Sequence, residues 1–347
     1  MHQSIKTKLW IGIGVGIVIV TLASLWMYLQ PPGPMPAEDR PAGSTFPLSP
    51  QSISFRLKWR YGGTSCGALV AEKQGFFRDV GLDVVINQGG FEYDSKKMVV
   101  SGSDQIGLTG ADELILARAN GMPLVAIGAD FQKTPCCILA VESSGVRNPR
   151  DFVGKRLGVR KATNVEYQYD VLMKRLDLDR KTVLEEPIKL DLTRVVEGNL
   201  DMWTTYLSEK PTAEAKGLKI STIWFADFGI RSYGNVVFTS ESFLQEHPDI
   251  VRRFLKAYYQ GWKWAMENPQ RVGEIIREFS SEAPAETENA AFALTIPLLS
   301  PEEGKPLGYM KEDLWRDTQR VLIESGELEK EVELGSIFTD EYLHNDQ

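Results

Sequence analysis

The chain has 347 residues, 43% hydrophobic and 25% charged, which is the makeup of a folded protein long enough for two domain-sized cores. Its formal net charge of −8, with no basic run, argues against a nucleic-acid binder. Three cysteines at unmatched spacing and three scattered histidines argue against a metal site or a Ser-His-Asp triad.

The first element in chain order is residues 9–29, LWIGIGVGIVIVTLASLWMYL, which carry no charge. At ~1.5 Å rise per residue this segment is long enough to cross a bilayer. Lys6 and Lys8 precede it and no basic residue follows until Arg40. The positive-inside bias therefore places residues 1–8 in the cytoplasm and the rest outside. The segment is longer than the apolar region of a cleavable signal and lacks a good small-residue site, so an uncleaved signal anchor is the favoured reading. Cleavage would instead give a secreted protein. Residues 30–51, rich in Pro and Gly, read as an extended tether.

Beyond the tether, strands and helices alternate. ISFRLKW (53–59), LDVVIN (82–87), QIGLTG (105–110) and PLVAIGADF (123–131) read as strands. Between them GALVAEKQGFFRDVG (67–81), DSKKMVVSGS (94–103) and ADELILARANG (111–121) read as helices. The rhythm restarts with RLGVRK (156–161), a helix over 164–179, the strand PIKLDL (187–192), a short helix over 193–199 and the strand LDMWTTYL (200–207). Helices follow over 248–269, 270–280 and 311–328. Such alternation predicts α/β lobes with parallel sheets. We divide them as 52–139 plus 240–347 for lobe 1 and 140–239 for lobe 2.

In open α/β sheets ligands bind beyond the carboxyl ends of the strands. Here those ends carry WRYGGTSCG (59–67), LTGADE (108–113), VRKATNVE (159–166), WTTYLSE (203–209) and ADFGIRSYGN (226–235). Two facing lobes would make these segments the walls of a cleft. Cys66, Cys136 and Cys137 read as small buried hydrophobes, with a Cys66 link to one of the adjacent pair left as an alternative.

GALVAEKQGFFRDVGLDVVI, VSGSDQIGLTGADELILARANGMPLVAIGA, GVRNPRDFVGKRLGV, EGNLDMW and the run from DFGIRSYGNVVFT to KWAMENP together resemble one family. It is the type II periplasmic substrate-binding proteins of ABC importers, in the branch of sulfonate, nitrate, taurine and thiamine-pyrimidine-precursor binders. The resemblance covers residues 53–280. It implies an α/β, two-lobe fold with a cleft between lobes, here preceded by one transmembrane helix. It also implies a small-molecule ligand bound by lobe closure, an ABC permease as partner, and a site on the periplasmic side of the inner membrane.

The cleft segments are rich in aromatic rings, which suits a flat ligand. The resemblance of DFGIRSYGNVVFT and WTTYLSEKP to the branch that binds thiamine pyrimidine precursors implies such a precursor or a similar aromatic heterocycle as the favoured ligand. The expected contacts are Trp59, Thr64, Ser65, Asp112, Asn164, Trp203, Tyr206, Phe228 and Tyr233, the aromatics stacking and the rest hydrogen-bonding. Arg60, Arg160, Lys161 and Arg231 would pair with an acidic ligand, or with Asp112, Glu166 and Asp227 as a lobe-closing network. The family's Y-x-x-N-E-P pattern falls on Tyr206 to Pro211 with the Asn and Glu out of register. In the related eukaryotic-type pyrimidine synthase, a histidine stands where this chain has Ser65, and a cysteine-rich iron motif has no counterpart here. The resemblance thus implies a binding protein without cofactor rather than an enzyme. The alternatives are a synthase-like enzyme, a sulfonate, nitrate or taurine binder, and a membrane-anchored solute sensor.

Overall fold

The computed structural model describes residues 50–189, 192–300 and 303–343. The apolar segment 9–29, the residues before it and almost all of the tether lie outside the described residues. Among the described residues no helix is long and apolar enough to cross a membrane.

Among the described residues ten strands form two five-stranded sheets. The first has the order β2-β1-β3-β10-β4, built from β1 (Gln51–Arg56), β2 (Leu82–Asn87), β3 (Ile106–Gly110), β4 (Leu124–Ala129) and β10 (Asn235–Ser240). The second has the order β7-β6-β8-β5-β9, built from β5 (Cys136–Val141), β6 (Arg156–Val159), β7 (Leu184–Pro187), β8 (Met202–Tyr206) and β9 (Ile220–Trp224). The helices in the first half are α1 (Cys66–Lys73), α2 (Phe76–Asp79), α3 (Ser95–Val100), α4 (Ala111–Ala119), α5 (Asn164–Arg175) and α6 (Thr193–Val196). Those in the second half are α7 (Lys210–Ala215), α8 (Glu241–Glu246), α9 (Pro248–Glu267), α10 (Val272–Phe279), α11 (Ala285–Leu299) and α12 (Glu312–Ser325).

The sequence pattern explains most of these elements. In edge strand β2, Leu82, Val84 and Ile86 are buried while Asp83 and Val85 face out, the period-two signature of a half-covered strand. Strand β4 is covered on both faces and reads as a continuous apolar run. Helix α9 starts on Pro248, whose missing N–H costs nothing at a first turn. It buries Ile250, Phe254, Tyr258, Trp262 and Ala265 at helical spacing against the first sheet and α1. The α1–α9 contact is close enough that a Cβ on Gly67 would stand 2.4 Å from the Trp262 indole, and one on Gly261 2.1 Å from the Gly67 carbonyl.

Three expectations are corrected. Neither sheet is purely parallel: β10 runs antiparallel to β3 and β4, and β5 antiparallel to β8 and β9. Each returning strand enters its sheet from the opposite lobe, so its direction reverses. Second, the passages between sheets fall between Ala129 and Cys136 and between Phe228 and Asn235. Strand β5 therefore stands in the second sheet and β10 in the first, so the passages lie earlier than the boundaries 139/140 and 239/240. Third, the strand expected at PIKLDL is found earlier: β7 runs Leu184–Pro187 and shares only Pro187 with that run.

The two passages are bonded to each other. The Asp130 N–H donates to the Asn235 carbonyl at 2.9 Å and the Gly234 N–H to the Phe131 carbonyl at 3.0 Å. Two C-terminal helices also link the lobes. Helix α11 packs on the turn Gly63–Ser65 of the first lobe and the turn Leu207–Glu209 of the second, and α12 packs on α4 and α5. All three cysteines are buried and free.

Candidate ligand site between the two sheets

The carboxyl ends of β1, β3, β6 and β8 meet in a polar hollow. Lys58, two residues beyond β1, places its Nζ 3.1 Å from Glu113 Oε1. Glu113 sits in the first turn of α4, where the helix dipole favours an acid. Its other oxygen lies 3.3 Å from Lys96 Nζ and accepts from the Thr109 hydroxyl at 2.8 Å. Asp112, beside it, accepts the Glu113 N–H at 2.8 Å and faces the Tyr167 hydroxyl of α5 across the space between lobes. The close packing needs glycine at 110: a Cβ there would be 2.3 Å from Asp112 Oδ1 and 3.0 Å from Lys58 Nζ.

From the second lobe, Tyr206 at the end of β8 donates its hydroxyl to Asn164 Oδ1 at 2.7 Å. Asn164 opens α5. Arg160, just past β6, makes a two-pronged pair with Glu209, both bonds 2.5 Å. Lys58 and Glu113 are half-buried and keep 24% and 30% of their side-chain surface exposed.

Charges here are strongly tuned. Burial alone would pull the Lys58 ammonium down, but Glu113, Tyr206 and Asp112 hold it well above its ordinary value. Burial pushes Glu113 up, yet Lys58, Lys96 and the Thr109 hydrogen bond bring it down to about 2. Asp112 ends above the usual carboxylate range because burial outweighs the nearby Lys58. Burial also raises the Tyr206 phenol, so it stays a neutral donor. Lys58, Lys96 and Arg160 thus each have a carboxylate partner already. Among the described residues, no group of three or more His, Cys, Asp or Glu is placed to hold a metal ion.

Of the nine expected contacts, Asp112, Asn164 and Tyr206 come together in this hollow. Trp59 stands at the rim of the first lobe, 36% exposed and edge-on to Phe91 at 5.0 Å. The Thr64 carbonyl accepts from Asn235 Nδ2 at 3.2 Å, and the Ser65 hydroxyl donates to the Gly62 carbonyl at 3.2 Å, closing its own turn. Phe228 is half-buried against the second-lobe core. Two assignments are corrected. Trp203 is fully buried in the core under the second sheet. Tyr233 is 1% exposed, packs on Trp315 at 5.3 Å and accepts the Lys311 N–H at 2.6 Å. The expected lobe-closing network does not form either: Arg160 pairs with Glu209, Lys161 with Glu166 inside one lobe, and Arg231 with Asp317.

The reading from sequence missed Lys58, Glu113, Tyr167 and Glu209. Lys58 and Glu113 carried a usable signal, each being the neighbour of a chosen residue at a strand end.

Two α/β lobes, two bonded crossings and a polar hollow at the strand ends define the type II periplasmic-binding-protein fold. Its likeness to the periplasmic aliphatic sulphonate binding protein SsuA of Escherichia coli, TM-score 0.68 at 15% identity over 86% of this chain and 96% of that one, gives the same fold. The chain belongs to the NMT1/THI5 like family, whose pattern matches residues 64–272. It is 23% identical to the formylaminopyrimidine-binding protein of Halalkalibacterium halodurans over 275 residues, 77% of this chain and 83% of that protein. It is 22% identical to the 4-amino-5-hydroxymethyl-2-methylpyrimidine phosphate synthase of Legionella pneumophila, over 72% of this chain and 80% of that protein.

Proposed function

We propose that this protein is the solute-binding component of an ABC-type importer, which closes its lobes on a small polar aromatic heterocycle, with a thiamine pyrimidine precursor favoured. The observation that carries the reading is the charge pairing of the hollow. Lys58, Lys96 and Arg160 are each matched by Glu113 or Glu209. A sulfonate or nitrate would have to displace a carboxylate from its cation, leaving a buried charge unpaired, which is strongly unfavourable. The groups left for a ligand are Tyr167, Tyr206, Asn164 and the Asp112 carboxyl, raised toward its neutral form. This set suits the ring nitrogens and amino group of a neutral or weakly basic heterocycle, with Trp59 at the mouth. Binding would draw both lobes together, since Asp112 and Tyr206 come from opposite sheets. The pyrimidine-binding relative supports the ligand class for that protein and motivates it for this one. We place the site outside the cytoplasm, held at the membrane by residues 9–29, with an ABC permease as the receiving partner.

Titration calorimetry of the purified protein with formylaminopyrimidine, aminopyrimidines, riboflavin, taurine and nitrate tests this. Micromolar or tighter binding of a ring compound is the expected result. Taurine or nitrate binding with no ring compound bound would overturn it. The synthase relative motivates a second reading, and product formation by the purified protein with iron and pyridoxal phosphate would establish that one instead.

A further inference from the structure

The crossings between the lobes carry a second hollow. A cavity of about 340 Å³ opens where Gln132 and Lys133 of the first crossing meet Trp224 and residues 226–232 leading into the second, closed by Lys311 and Leu314 at the start of α12. It shares no lining residue with the site of Lys58, Asp112, Asn164 and Tyr206. Its volume falls at the lower end of the ~300–1,000 Å³ range of small-molecule pockets.

The lining is divided by chemistry. Ile230 and Leu314 are buried and supply an apolar floor. Trp224 is fixed beside them, its indole N–H donating to the Thr134 carbonyl at 2.7 Å. The rim is basic. Lys133 is exposed and holds its Nζ 5.6 Å from the Trp224 ring centroid. Arg231, 62% exposed, pairs with Asp317 at 3.0 Å, and Lys311 stands beside it. Lys133, Arg231 and Lys311 stand at the rim against Asp227 and the Asp317 that pairs with Arg231, so the rim is net basic, whereas the whole chain carries 47 acidic to 39 basic residues. A flat apolar wall under a locally reversed, basic rim selects a flat ring bearing one negative charge.

We propose that this hinge cavity binds a small aromatic carboxylate, its ring against Trp224 and its carboxylate between Lys133 and Arg231, whose pair with Asp317, open to solvent at the Arg231 end, is weak enough to give way where that of the buried Arg160 is not, and that occupancy biases the lobes between open and closed. The second half follows from where the cavity lies. Any rotation of one sheet relative to the other is absorbed in the crossings, so the spacing of Lys133, Trp224 and Arg231 differs between the two forms. A ligand that fits one spacing better shifts the population toward it, and the effect is reciprocal with the interlobe ligand. The binding half stands independently of the function proposed above; the coupling half rests on its lobe closure.

Titration of the full-length protein in detergent with benzoate is the test, with benzyl alcohol and acetate as probes lacking the charge or the ring. Saturable benzoate binding, at least about tenfold tighter than either control, is expected. The exposed pair Lys133→Ala with Arg231→Ala should weaken it by at least about tenfold, because charge-assisted contacts are lost without touching the core. Lys58→Met should leave it unchanged. No saturation, benzoate binding indifferent to the double variant, or binding lost with Lys58→Met would each overturn the site. Coupling is read by titrating the heterocycle with and without saturating benzoate. A changed affinity, by the same factor as the reverse titration, supports it, and an unchanged one overturns the coupling while the site itself stands on the first experiment.

Discussion

Asp130 ends the first sheet at the root of the first crossing, and replacing it with Asn should change how stability depends on pH. Its carboxyl is 2% exposed and accepts the Tyr258 hydroxyl at 2.6 Å. Burial pushes it up to about 7 from an ordinary 3.8, against the lowering effect of Tyr258, Tyr259 and Trp262. An acid whose folded value is raised binds more protons folded than unfolded between the two values. Its share of stability is therefore full below pH 3.8, falls as pH rises, and is lost above about 7. Three units at ~1.36 kcal/mol each put the loss near 4 kcal/mol, an upper limit because the folded site relaxes. Asp130→Asn has no such slope, and all other titrating groups cancel in the comparison. The stability of the variant relative to the native protein should rise by up to ~4 kcal/mol from pH 4 to pH 8. Urea unfolding of both proteins at pH 4, 5, 6, 7 and 8 measures this. A difference independent of pH would show that Asp130 ionises normally in the folded state and refute the reasoning.

Three further outcomes are expected. Lys58→Met should weaken the interlobe ligand by about tenfold or more, since Asp112 and Glu113 would then stand side by side with only Lys96 to offset them, and their repulsion would displace the Asp112 carboxyl from the ligand; calorimetry reads it. Tyr233→Phe should lower stability by about 1 kcal/mol through the lost Lys311 hydrogen bond and leave ligand affinity unchanged, as chemical denaturation and titration of one sample will show. Gly261→Ala should cost about 1–3 kcal/mol or more, because the new methyl meets the Gly67 carbonyl and Ala71 on the facing helix; the thermal midpoint reports it.

How much of this was legible depended on how local each cause is. LDVVIN reads as a strand because an edge strand with one covered face writes its alternation into six adjacent residues. Strand β5, CCILAV, escaped notice, and of strand β9 only its end, before ADFGIRSYGN, was read. The first is a short apolar run covered on both faces, which periodicity cannot tell from a buried helix. Helix α11 was hidden by Glu, Thr and Pro297 scattered among its apolar residues. The alternating rhythm exposed the two-lobe plan but not the antiparallel strands, since direction is set by where the chain returns from, not by the strand's own residues. Asp112, Asn164 and Tyr206, chosen for their place beyond the strand ends, lie close together in the fold.

Tyr206 and Tyr233 show where that rule stops. Both lie near the strand ends facing the space between lobes, and nothing in their immediate sequence separates them. Tyr206 keeps an open edge and gives its hydroxyl to Asn164, a side chain of the same hollow. Tyr233 gives its acceptor to the backbone of Lys311 and its ring to Trp315, both from a segment nearly eighty positions later that packs over it. An aromatic at a cleft is available to a ligand only if no distant element has covered it first. Charge obeys the same condition: Arg160 looks like an anion receptor until Glu209 is found holding it. Selectivity in this fold therefore rests less on which groups the strand ends display than on which of them the rest of the chain has already satisfied.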